Sequence, residues 1–306
     1  MRPRRSLEYG AQGMKPDLFT TIKQAKLRWK ILAVLLLPII ILNGYFLFQT
    51  PTNDGPWLAH YERLATVDIS GDEITIKNFR RARYDEQGNI SSLNYSERQV
   101  NLNELGAIWY GISVFSDPGL AHTFLSFDFG DQDPVVISVE ARQRPGQSYD
   151  PIDGALDNYH LIYVIADERD IIGVRTHKRQ EQVRFIPIEV DQKRMQKMFL
   201  DMVAKANSLA VEPEFYNTFT SNCTNNIMKQ TDVPAWQYYF DPRIVLPGFS
   251  DSIAYSFGVL DNRYTLEQIR EAATIRPDGF SEDDDNFYSR IRENYYSVIT
   301  KFTQEP

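Results

Sequence analysis

Only one cysteine occurs in the 306 residues, Cys223. A single thiol excludes an intramolecular disulfide framework and leaves Cys223 as either an inert buried residue or a nucleophile. Histidine is almost as scarce. His60, His122, His160 and His177 are the full set, and none stands with another histidine or the cysteine at zinc-ligand spacing, so the sequence offers no metal site. Nothing calls for a cofactor. The acidic run Glu282-Asp283-Asp284-Asp285 lacks the alternating oxygen ligands and central glycine of a calcium loop and reads as a solvated turn. Internal repeats and low-complexity linkers are also missing, which favours one elaborated domain.

Long apolar runs are rare too. The one present, Ile31 to Phe48, carries no charge and is interrupted only by Pro38, Asn43 and Gly44. It approaches the roughly 20 residues a helix needs to span a bilayer. Eight basic against two acidic residues precede it, a local net of +6, and no Lys or Arg follows until Arg63. The positive-inside rule then places the N-terminus in the cytoplasm, with Trp29, Tyr45 and Trp57 at interface positions. The expected organisation is a cytoplasmic basic segment at 1–30, a transmembrane helix at 31–50 and a periplasmic domain at 51–306, its core about 105–260. That is a single-pass protein of a bacterial inner membrane. Beyond residue 30 the net charge is −14, which leaves no electrostatic footprint for nucleic acid. Oligomeric state is not written in the chain.

What is present reads as α+β. Val67, Ile69, Ile74 and Ile76 around Ser70-Gly71-Asp72 predict a hairpin, and Leu105 to Phe115 a buried strand. Ala121 to Phe129 and Val135 to Arg142, separated by Gly130 to Pro134, predict a second hairpin. Strands are expected at Tyr159 to Ala166, Ile171 to Thr176 and Gln182 to Ile188. From Asp191 the period changes to that of a helix, with Met195, Met198, Phe199, Met202, Val203 and Ala206 on one face, and further helices are expected near 265–274 and 285–300.

Cys223 lies in Ser221-Asn222-Cys223-Thr224-Asn225-Asn226, ahead of a helix-compatible stretch ending near Gln230. A catalytic thiol needs a basic partner or a helix N-terminus to favour the thiolate. His122, at the start of a strand, is the best base in the chain. An even-sum hairpin register puts Ser138, Glu140 and Arg142 on the face of His122, with Glu140 the preferred orienter of the imidazole and Ser138 the alternative. Asn222 or the Cys223 amide could serve an oxyanion.

Several segments together resemble a known family: Ala121-His122-Thr123-Phe124-Leu125-Ser126-Phe127, Ile137 to Arg142, Tyr163-Val164-Ile165 with Glu168-Arg169-Asp170, Asn222-Cys223-Thr224, and Leu246 to Asp251. The family is the Lnb N-terminal periplasmic domain. The resemblance implies a circularly permuted papain-like fold, in which the histidine hairpin precedes the cysteine helix. It also implies Cys223 as nucleophile, His122 as general base, and acyl transfer to an amine, because named members are linked to N-acylation of bacterial lipoproteins. Those members carry several membrane spans after the domain, whereas the span expected here comes before it.

Three functions compete. The first is a membrane-tethered thiol acyltransferase with a membrane lipid or lipoprotein as substrate. A cysteine peptidase or amidase of the cell envelope is the second, and a non-catalytic envelope scaffold the third. An apolar groove beside Cys223 favours the first and a polar cleft the second.

Overall fold

A computed structural model describes residues 44–115, 117–130 and 132–304, together with 26, 29–30, 34–38 and 41–42. The chain divides into two compact units, Met1–Thr50 and Pro51–Pro306. The cytoplasmic segment expected at 1–30, and the 31–33, 39–40 and 43 parts of the expected span, lie largely or wholly outside the described residues. Among the described residues no helix is long and apolar enough to cross a membrane.

The second unit is built on a nine-stranded sheet. Its strands are β1 (Thr66–Ser70), β2 (Glu73–Tyr84), β3 (Ile90–Asn101), β4 (Ala107–Val114), β5 (Ala121–Asp128), β6 (Val135–Arg142), β7 (Tyr159–Ala166), β8 (Gln182–Pro187) and β9 (Phe215–Tyr216). The order is β1-β2-β7-β6-β5-β4-β8, with β3 on β2 and β9 on β7. All pairings are antiparallel except β2 with β7, which touch at Arg80 and Ala166. Strands β4 to β7 are almost wholly buried on both faces, which is why they read as near-continuous apolar runs rather than as clean alternation.

Helices cover both faces: α1 (Pro151–Ala155), α2 (Gln192–Val211), α3 (Cys223–Lys229), α4 (Pro242–Val245), α5 (Asp251–Ser256), α6 (Leu266–Ala273) and α7 (Phe287–Gln304). Asp191 caps α2 by accepting from the Arg194 amide. Phe199 of α2 packs on Phe127 and Phe129, with ring centroids 5.0 and 5.3 Å apart. Arg292 of α7 lies on the other face between Trp109 and Phe185, 5.0 Å from each ring.

Two elements differ from the sequence reading. Residues expected as a strand at 171–176 instead belong to a π-helix, Arg169–Lys178. Its start is fixed by charge, because Asp170 is fully buried and takes both Arg80 Nε and Nη2, at 2.8 and 2.9 Å, while its own amide donates to Asp167. The first hairpin forms as expected, Thr66–Ser70 against Glu73–Lys77, but β2 runs on to Tyr84 and pairs with the unexpected β3, past a register shift between Ile76 and Phe79. Asn78 adopts a left-handed φ of 56° at that shift, a conformation that asparagine tolerates better than most residues.

Candidate functional site

The β5–β6 hairpin pairs Phe124 with Ser138, so His122, Phe124, Ser138 and Glu140 share one face. His122 Nε2 and Ser138 Oγ are 2.7 Å apart, and Ser138 donates to Glu140 Oε1 at 2.7 Å. The carboxylate lies 3.8 Å from the imidazole, so Ser138 is the direct partner and Glu140 stands behind it. Tyr61 donates to the other Glu140 oxygen at 2.5 Å, and Arg175 of the π-helix lies 3.6 Å from the first. Arg142 is on the same face but turns away, donating to the Tyr61 and Glu62 carbonyls.

Burial, reinforced by Arg175, pushes His122 down to about 3. Burial alone would raise Glu140, but His122, Arg175, Arg80 and the Tyr61 hydroxyl hold it well below the usual carboxylate range. Near neutral pH the cluster is therefore a neutral imidazole beside an ionised carboxylate. His60, in the same electrostatic neighbourhood, is lowered to about 4 by burial and Arg80.

Cys223 opens α3 on the opposite face. Neighbouring side chains of a strand leave opposite faces, and Thr123, next to His122, meets Thr224 of α3 with hydroxyls 3.3 Å apart. Tyr163, which alternates with the residues facing Glu140, donates to Asn226 of the same helix at 3.3 Å. The helix with the thiol packs on the face of the sheet opposite the His122 side chain. The motif order gave the right elements without the parity that decides which face each side chain takes.

The thiol is buried, with a relative exposure of 3%. Its helix starts in a capping box: Asn222 accepts from the Asn225 amide, and the Asn225 side chain accepts from the Asn222 amide. Asn222 Nδ2 donates to the Thr218 and Ile244 carbonyls at 2.8 and 3.0 Å. Both amide hydrogens are engaged, so the side chain of Asn222 has no donor left for an oxyanion. Around the thiol the sequence reading missed Tyr110, Tyr149 and Tyr216. Burial raises all three, and each is raised further by the negative charge Cys223 can carry, so all are protonated hydroxyls at neutral pH.

A groove of about 650 Å³ is lined by Asn222, the residue before Cys223, together with Ala121, Leu120, Tyr149, Tyr216 and Leu246. The other residues lining it are also mostly apolar. A second cavity, about 300 Å³, lies against Thr224 on the other side of Cys223, between α3 and the start of α2. Among the described residues no group of three or more His, Cys, Asp or Glu could hold a metal ion.

These features define an α+β domain with a lone buried thiol at the start of a helix and an apolar groove that reaches the preceding residue, Asn222. The chain belongs to the Lnb N-terminal periplasmic domain family, whose model matches residues 91–244, about half of its length. That span holds both His122 and Cys223 and sets the domain in a periplasmic, envelope-related role. No curated protein and no solved structure matches the chain.

Proposed function

We propose that the chain is a membrane-tethered thiol acyltransferase of the periplasmic face of the inner membrane, with the region 31–50 as its anchor and a papain-like arrangement as its ancestry. The observation that carries this reading is the apolar groove whose lining reaches Asn222, the residue before Cys223, a shape suited to an acyl chain and poorly suited to a cell-wall peptide. The Cys223 thiolate attacks the ester carbonyl of a membrane lipid. A carbon–sulfur bond forms, the carbon–oxygen bond to the lysolipid breaks, and the lysolipid oxygen takes the proton the thiol gave up. An amine of a lipoprotein or lipid then attacks the thioester, giving an amide, and an amine proton returns to sulfur. The phenols of Tyr110, Tyr149 and Tyr216, close enough to Cys223 to feel its charge, are the donors assigned to the developing oxyanion. His122, Ser138 and Glu140 act from the other face as a supporting cluster rather than as the base on sulfur.

The test is intact-mass spectrometry of the full chain after incubation with phospholipid vesicles. A hydroxylamine-labile acyl adduct is expected on the wild type and on His122→Gln, and not on Cys223→Ser. An adduct absent from the wild type overturns the proposal in favour of a scaffold. Loss of the adduct in a folded His122→Gln variant would return the base role to His122 and require β5 to present it to the thiol.

A further inference from the structure

One end of the sheet gathers features that no single element explains. There β4 ends and β5 begins, at Val114 and Ala121, β6 ends opposite the start of β7, at Arg142 and His160, and β9 joins β7 at Tyr159. The connections at this end expose Phe115, Leu120, Tyr149, Ile152, Phe219 and Leu246, all of which line the groove. Ile152 is 71% exposed and Phe219 56%. Large apolar side chains from four separate connections, converging on the mouth of one groove and carrying no charge, form a patch of the kind that marks an interaction surface.

The first residues of the second unit are held at this end. Asn53 donates to the Leu209 carbonyl at 2.8 Å and accepts from Arg142, and Leu58 donates to the Gln143 carbonyl at 3.0 Å. Only four residues separate Asn53 from Phe48, where the long apolar run stops.

We infer that this rim docks on the lipid bilayer, so that the groove opens into the membrane and an acyl chain enters it sideways, without passing through water. The occupant is the bilayer rather than a protein because the patch frames the mouth of an apolar cavity and shares its end of the sheet with Asn53, a few residues in sequence after the apolar run. Aromatic and branched side chains from loops can sit at the headgroup boundary in the same way as an interfacial helix. The six rim side chains are uncharged and the exposed residues Asp117, Asp150 and Asp153 beside them are acidic, so docking draws nothing from anionic lipid and is not weakened by salt. The inference rests on the acyl-transfer reading for its purpose and not for its test.

The sole cysteine makes that test clean. In the full chain carrying Cys223→Ser, single cysteines introduced as Ile152→Cys, Phe219→Cys and Asp133→Cys are labelled with an environment-sensitive nitrobenzoxadiazole dye. Asp133 is exposed at the opposite end of the sheet, in the β5–β6 connection. The proteins are reconstituted into phosphatidylcholine vesicles containing lipids with a nitroxide just below the headgroup. Quenching several-fold stronger at 152 and 219 than at 133, unchanged at high salt, is expected. Equal quenching at the three sites overturns the inference, as does a blue-shifted but unquenched dye at 152, which would mean that protein covers the rim. An acyl adduct missing from Cys223 while the dyes are quenched would sink the acyl-transfer reading and leave the docking surface standing.

Discussion

Asp170→Asn should cost the fold more than any exposed substitution in the chain. The carboxylate is fully buried and accepts from Arg80 Nε, Arg80 Nη2, the Ala82 amide and the Tyr84 hydroxyl, at 2.8 to 3.1 Å. Arg80 is itself 4% exposed. Asparagine keeps the shape, removes the charge and turns an amide donor toward at least one of these donors, leaving a buried guanidinium without its counter-ion. Breaking a buried pair in this way costs about 3–5 kcal/mol. For a domain of this size that corresponds to a fall in Tm of about 6–20 °C. Thermal unfolding of the full chain in detergent, followed by near-ultraviolet circular dichroism, measures it. The double variant Arg80→Met with Asp170→Leu should recover a substantial part of the loss, because two apolar side chains leave no charge stranded. A loss below about 1 kcal/mol for Asp170→Asn, the scale of an exposed ion pair, would refute the claim that this pair fixes the π-helix against β2. The Glu168-Arg169-Asp170 segment would then need a role other than structural.

Acid should destabilise the domain before its carboxylates titrate in the ordinary range. His122 has a folded value near 3 against 6.5 for the free side chain, so between those values the unfolded chain binds a proton that the folded chain refuses. Stability from this group is complete above about pH 6.5 and falls as the pH drops toward 3, on the order of 4 kcal/mol over the whole window. The depressed Glu140 adds a loss of the same sign at lower pH. Denaturant midpoints between pH 7 and 4.5 should fall less steeply for His122→Gln than for the wild type, and parallel curves would contradict the buried neutral imidazole. Asn222→Ala should cost about 1–3 kcal/mol, since it removes the α3 cap and leaves the Thr218 and Ile244 carbonyls unpaired. Hydrogen exchange should locate the weakening in the first turn of α3, and unchanged protection there would count against the cap.

Much of the fold was legible because β5, β6 and β7 are short apolar runs bounded by turn residues, and because Asp191 and the spacing from Met195 to Ala206 announce α2. The π-helix was not. Ile171, Ile172 and Val174 carry the apolar density of a strand, and the force that winds them comes from Arg80, 90 positions earlier in the chain. The same partner hid the length of β2: an arginine inside a strand reads as an interruption until its buried carboxylate is known. At the site, the hairpin register could be stated as a condition, and the Phe124–Ser138 pairing places Ser138 and Glu140 beside His122. Which face α3 would choose depends on side chains from distant parts of the chain, among them Tyr110, Tyr163 and Ile244, and no local pattern encodes that.

That parity gives the β5–β6 hairpin two separable roles. Its even-numbered positions on β5, with Ser138 and Glu140, build the polar cluster against Arg175, and its odd-numbered positions face α3 and the groove. Ala121 is the position where the separation can be read most directly, since it is 8% exposed, lines the groove and neighbours His122 in sequence. Ala121→Phe should fill the inner end of the groove and sharply reduce acyl-adduct formation on Cys223, with a stability change of no more than about 1–3 kcal/mol from overpacking. Adding His122→Gln should make the fall of stability with acid less steep without altering adduct formation, because the two changes act on opposite faces. A double variant in which the two effects multiply in the adduct assay would show that the faces are coupled through β5, and would overturn the assignment of His122 to a supporting role.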